Sequence, residues 1–84
     1  MVMTRKDYRA IAEAVNKTAQ EIYDSEVWEI ADKHLQLHGL MNLVGNLGLA
    51  LFGTNPNYDV KKFWEATAKA GDLNVKAYED YMKS

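Results

Sequence analysis

The chain of 84 residues has no cysteine, which excludes disulfides and thiolate metal sites and makes a reducing compartment the natural expectation. It has one proline and five glycines, too few for a low-complexity or collagen-like chain. Basic charge is not in excess either: ten Lys and Arg stand against twelve Asp and Glu, for a net charge of -2. A nucleic-acid binder normally carries a basic face to neutralise phosphates. Here the bases alternate with acids, as from Glu29 to Lys33 and from Lys61 to Glu65, so no nucleic-acid partner is expected. A spanning helix needs about 20 predominantly apolar residues, and Gln36, His38, Asn42 and Asn46 interrupt the most apolar stretch. No membrane partner is expected. No apolar segment follows the basic residues of the N-terminus, where Met1 and Met3 each offer a start, so no signal peptide is expected.

What is present points to helices. The length suits a single domain over 1–84 with a thin core, burying about 60 to 65% of its unfolded surface. Scaled by length, such a domain has about 4 to 13 kcal/mol of stability, a range in which a second subunit would help. Thr4-x-x-Asp7 resembles a capping box. It opens an apolar stripe of Tyr8, Ile11, Ala12, Val15, Ala19, Ile22 and Tyr23, whose three-and-four spacing predicts one amphipathic helix over about 5–23. Helical spacing resumes over about 26–52, with Asp24 or Ser25 as the cap and Gly39 as a possible break, because a glycine in a helix interior costs about 1 kcal/mol. Pro56 lies in a turn from Gly53 to Asn57. A third helix is expected over about 60–70, stopped by Gly71, and a fourth over about 75–82. Thr4, Asp59 and Asn74 each follow an apolar residue and precede an aromatic four positions on. That is the hydrophobic staple of a helix start. The expected fold is therefore all-α, a small bundle of three to four helices.

No constellation of residues reads as an active site. His34 and His38, four apart on one helix face, are the weak candidates for a metal, and a third ligand is missing. The acids sit at caps or on solvent faces, and Gly45-x-x-Gly48 lacks the lysine of a phosphate loop. The chain is not expected to be an enzyme or to hold a cofactor. The most informative feature is another absence: between Lys33 and Asp59 there is no Asp, Glu, Lys or Arg. Solvated helices normally carry charge outside, so this stretch reads as a central core helix, as a partner surface, or as a membrane-inserting segment. The candidate partner or homodimer interface comprises Trp28, Leu37, Leu40, Leu43, Val44, Leu47 and Leu51. Trp64 and Phe63 are further aromatic candidates, with Phe63 assigned to the core by the staple.

Two segments carry a resemblance. Met3-Thr4-Arg5-Lys6-Asp7-Tyr8 with Ile11-Ala12, and Leu49-Ala50-Leu51 followed by Asn55-Pro56-Asn57-Tyr58-Asp59 and Lys62-Phe63, resemble the opening and closing motifs of a family of small hypothetical proteins of tailed bacteriophages. The sequence departs from that pattern at Asn57, where a basic residue is usual, at Glu65-Ala66-Thr67-Ala68, and in two stretches extra to it, the uncharged insert around Gly39 and the tail from Gly71 to Ser84. The resemblance implies a viral origin and a chain working in the cytoplasm of an infected bacterial host. With catalysis set aside, the expected function is that of a phage accessory protein binding a host or phage protein, for instance to inhibit a host enzyme or defence system. The alternatives are a helix-turn-helix-like regulator using Lys61, Lys62, Lys69 and Lys76, and a membrane-active small protein.

Overall fold

The computed structural model describes residues 5–52 and 60–83, and among them every regular element is helical. Helix α1 spans Arg5–Asp24, α2 spans Ile30–Leu47 and continues into a π-helical turn at Gly48–Phe52, α3 spans Val60–Ala66 and α4 spans Ala68–Lys83. α1 ends where its apolar stripe ends. Thr4, Pro56 and Asp59 lie outside the described residues.

The three long helices pack against one another, and α3 closes one end against α1 and the π-helical turn. The core is drawn from one stripe of each: Tyr8, Ala12, Val15 and Ala19 from α1, Leu37 and Val44 from α2, Phe63 from α3, and Ala70 and Ala77 from α4. Phe63 is fully buried, as the staple predicts. Four of those nine side chains are alanines, so the helices approach closely but enclose little apolar volume. The molecule is a rod of 45 × 18 × 15 Å with a radius of gyration of 13.9 Å, against about 12 Å for a compact globule of this length.

Four expected boundaries are corrected. α2 starts at Ile30 rather than near residue 26, because the Ser25 side chain accepts the Val27 N–H at 3.2 Å and holds the chain in a turn. Extended backbone at Glu29 then opens the helix without a side-chain cap. Gly39 does not break α2, which runs through it unkinked by any positive φ; packing of α2 on α1 and α4 outweighs the propensity cost of one glycine. Gly71 does not stop a helix and Asn74 does not cap one, since α4 passes through both. A Cβ at Gly71 would touch the Met41 Cε at 3.7 Å, which places this glycine at the α2–α4 crossing.

The break falls instead at Thr67, and its cause lies on another helix. Asn16 Nδ2 donates to the Ala66 carbonyl at 2.8 Å, while the Ala70 N–H donates to Asn16 Oδ1 at 3.1 Å. Those are the two ends of the ladder bond that would have joined α3 to α4. One carboxamide thus replaces it, the kind of side-chain insertion that kinks helices. The Thr67 hydroxyl, buried in the core, donates to the Trp64 carbonyl at 2.9 Å and completes the junction.

Candidate binding surface

The outer faces of the three long helices differ in kind. α1 exposes Lys6, Asp7, Arg9, Glu13, Lys17, Glu21 and Asp24, and α4 exposes Lys69, Asp72, Lys76, Glu79 and Lys83. The α1 face is an ordinary solvated one, whereas α4 mixes its charges with the exposed Val75, Tyr78, Tyr81 and Met82. Beyond Asp32, α2 exposes only Leu35, Gln36, His38, Gly39, Asn42, Leu43 and Asn46, and the π-helical turn adds Leu49 and Ala50. Leu35, Leu43 and Leu49 are 64%, 53% and 63% exposed. Singly exposed leucines are normal, but a whole helix face of leucines, amides, glycine and histidine without one charge resembles the charge-depleted centre of an interface. Beside it, between α1 and α2, runs a shallow trough of about 420 Å³ lined by Ile22, Leu35, Gly39, Leu40 and Leu43 among others.

The candidate interface residues therefore divide. Leu37 and Val44 are 0% and 2% exposed; seven residues apart on one stripe, they face the bundle and belong to the core rather than to an interface. Leu40 and Leu47 are half-buried at its edge. Leu43 stands outside, as does Trp28 at 42% exposure in the connection between α1 and α2. The side chain of Leu51 lies outside the described residues. Leu35, Asn42 and Leu49 belong to the exposed strip but are not among the interface residues that the sequence reading named. α2 is apolar around most of its circumference, and spacing alone cannot say which stripe faces inward.

The glycines of this segment are equally divided. A Cβ at Gly48 would lie 2.5 Å from the Trp64 Nε1, so glycine is needed there for the indole to close over the end of α2. That indole N–H points at the Val44 carbonyl, 3.4 Å away, which also accepts the Gly48 N–H. Gly39 and Gly45 have no such reason: a Cβ at either meets nothing within 4 Å. Each costs about 1 kcal/mol of helix propensity relative to alanine.

His34 and His38 come together, with ring centroids 6.3 Å apart. Tyrosines rather than acids adjoin His34. The His34 ring stacks on Tyr81 at 5.7 Å and meets Tyr78 at 5.1 Å, so it ties α2 to α4. Its Nδ1 is buried without a hydrogen-bond partner. No cluster of three His, Cys, Asp or Glu able to hold a metal occurs among the described residues. At the same end of the bundle, the Tyr23 hydroxyl donates to Asp80 at 2.8 Å, with Lys76 at 5.0 Å and Lys33 at 5.9 Å from the ring centroid. The hydrogen bond to Asp80, followed by desolvation, raises the Tyr23 pKa above its ordinary value of 10.0. Tyr23, Ile30, Lys33, Ala77 and Asp80 line a pocket of about 130 Å³, small beside the ~300 Å³ and upward of ligand sites.

Lys61 and Lys62 are exposed on α3. Lys69 and Lys76 lie on the outside of α4 with Asp72 and Glu79 between and beyond them. α3 and α4 are joined through Thr67 alone, whereas a helix-turn-helix unit uses a turn of about three to four residues. No helix among the described residues is long and apolar enough to cross a membrane. No family model matches the chain, and no curated protein or solved structure matches it significantly.

Proposed function

We propose that this chain is a phage accessory protein that works inside the infected bacterium by binding another protein, with no chemistry of its own. The observation that carries the binding part is the uncharged outer face of α2, from Leu35 to Ala50, beside charged faces on α1 and α4. A protein of net charge -2 has no solubility reason to leave one face bare of charge. Burial against a partner gives it one, since interface cores are depleted of charged residues. The phage part is supported by the resemblance carried by Met3 to Tyr8 and by Asn55 to Phe63. Binding a host enzyme or defence protein is the action such an origin and such a surface fit together.

A photo-crosslinking residue at Leu43, compared with one at Glu13 on the charged face of α1, tests the reading inside host cells. Covalent protein adducts should form from position 43 and be absent or far weaker from position 13. Equal yields from both positions, or none from either, would refute α2 as the binding face.

A further inference from the structure

Gly39 and Gly45 are open positions: neither has a positive φ, and no atom of the fold approaches where their side chains would be. Their neighbours supply a reason for them. Counted outward from Asn42, the sequence of α2 mirrors itself. Gly39 and Gly45 stand three residues to either side, the polar His38 and Asn46 four, and Leu35 and Leu49 seven. At 3.6 residues per turn, offsets of three, four and seven all fall within about 60° of the Asn42 direction. They form one stripe, which the π-helical turn carries on to Leu49. Every residue of it is exposed except the half-buried Gly45.

A stripe that mirrors itself is what an isologous, antiparallel contact requires, because each residue there meets its mirror position in the other copy. We infer that α2 pairs antiparallel with α2 of a second copy of this chain, about a two-fold axis at Asn42. Leu35 then packs on Leu49 of the partner subunit, and Gly39 lies against the partner's Gly45, so that two backbones approach where side chains would hold them apart. The Asn42 carboxamides meet across the axis. Each offers both a donor and an acceptor, so the pair satisfies itself and fixes the register, as a buried asparagine does in paired helices. No like charges meet across the axis, because the stripe carries no ionised residue. A partner recognised by charge would find nothing here to recognise. This inference rests on the reading that the chain binds protein through α2; it assigns the Asn42 stripe of that face to another copy and leaves Leu43, about 100° round the helix, for a different protein.

Two measurements test it. A single helix pair lies at the small end of specific interfaces, so light scattering should span about 10 µM to 1 mM. The mass should climb from 9.6 kDa towards twice that value. Asn42→Asp, which sets two carboxylates face to face at an exposed position, should keep its helix content and weaken association by about tenfold or more. The absence of native cysteine makes disulfide mapping clean. Leu35→Cys mixed with Leu49→Cys should oxidise to a crosslinked pair, while Leu35→Cys alone should not. A mass of 9.6 kDa at the highest concentration, an association indifferent to Asn42→Asp, or efficient self-linking of Leu35→Cys would each overturn the pairing. The crosslinking from position 43 would then still decide whether a different protein occupies the face.

Discussion

Asn16 offers the sharpest test of how this fold is held, because one side chain makes both hydrogen bonds of the α3–α4 junction. Asn16→Ala removes both. At about 0.5–1.5 kcal/mol net per bond, the loss is about 1–3 kcal/mol, eased because the Ala70 N–H keeps a second acceptor in the Thr67 carbonyl at 3.0 Å. Asn16→Asp is nearly isosteric but worse at neutral pH. The Ala70 N–H keeps its acceptor, whereas the Ala66 carbonyl loses its donor and faces a carboxylate oxygen instead. That unmatched pair adds a desolvation cost of about 1–3 kcal/mol, so the aspartate should exceed the alanine in damage. Against about 4–13 kcal/mol in total, either change is large, and each kcal/mol lowers Tm by about 4–8 °C in a domain of this size. Urea unfolding followed by far-UV circular dichroism at pH 7 gives both values. An aspartate variant within about 0.5 kcal/mol of wild type, or one milder than the alanine, would show that the junction does not depend on this carboxamide.

Gly39→Ala should stabilise the isolated chain by about 1 kcal/mol through helix propensity and weaken self-association, so thermal unfolding at low and high concentration should shift in opposite directions. Gly48→Ala should destabilise by about 1–3 kcal/mol through overpacking, since its Cβ meets the Trp64 indole, and indole fluorescence should change with it; an unaltered emission spectrum would contradict the contact. Tyr23 titrates above its ordinary value, so its hydrogen bond to Asp80 contributes stability that is complete below pH 10 and is lost as pH rises through the raised folded-state pKa. Alkaline unfolding of wild type and Tyr23→Phe reads this directly: the phenylalanine variant should lose that part of the alkaline pH dependence, and identical profiles would refute it.

The parts of the fold legible in the sequence are those governed by local rules. The stripe from Tyr8 to Tyr23 defines α1 because its spacing is regular and its opposite face is charged. Phe63 reads as core because its place relative to Asp59 matches a staple. Gly71 and Asn74 carry local stop and cap signals that packing overrides, and the true break at Thr67 is set by Asn16, which bonds the Ala66 carbonyl 50 residues away. Nothing adjacent to Thr67 announces it. The same limit explains Leu37 and Val44. In α2 two apolar stripes compete for the interior, and Leu37 and Val44 win over Leu35 and Leu49 only once α1 and α4 are in place. The lack of charge from His34 to Tyr58 was legible as a partner surface but equally as a core helix. Separating the two takes the exposure of each leucine.

The thin core and the bare face of α2 bear on each other. With Ala12, Ala19, Ala70 and Ala77 among its buried residues, the bundle leaves three leucines of the strip more than half exposed. If the strip were surface and nothing more, replacing Leu35, Leu43 and Leu49 with lysine or glutamate would change stability by about 0.5 kcal/mol or less in either direction at each site. It would also abolish nothing. If the strip is a binding face, the same triple variant should fold as well as wild type at low concentration while losing self-association and the adducts formed at position 43. The experiment discriminates because these side chains contribute little to the isolated fold, so a lost interaction cannot be laid to unfolding. A triple variant that keeps both self-association and adduct formation would move the binding face off α2, and Trp28, exposed in the connection between α1 and α2, would be the next position to replace.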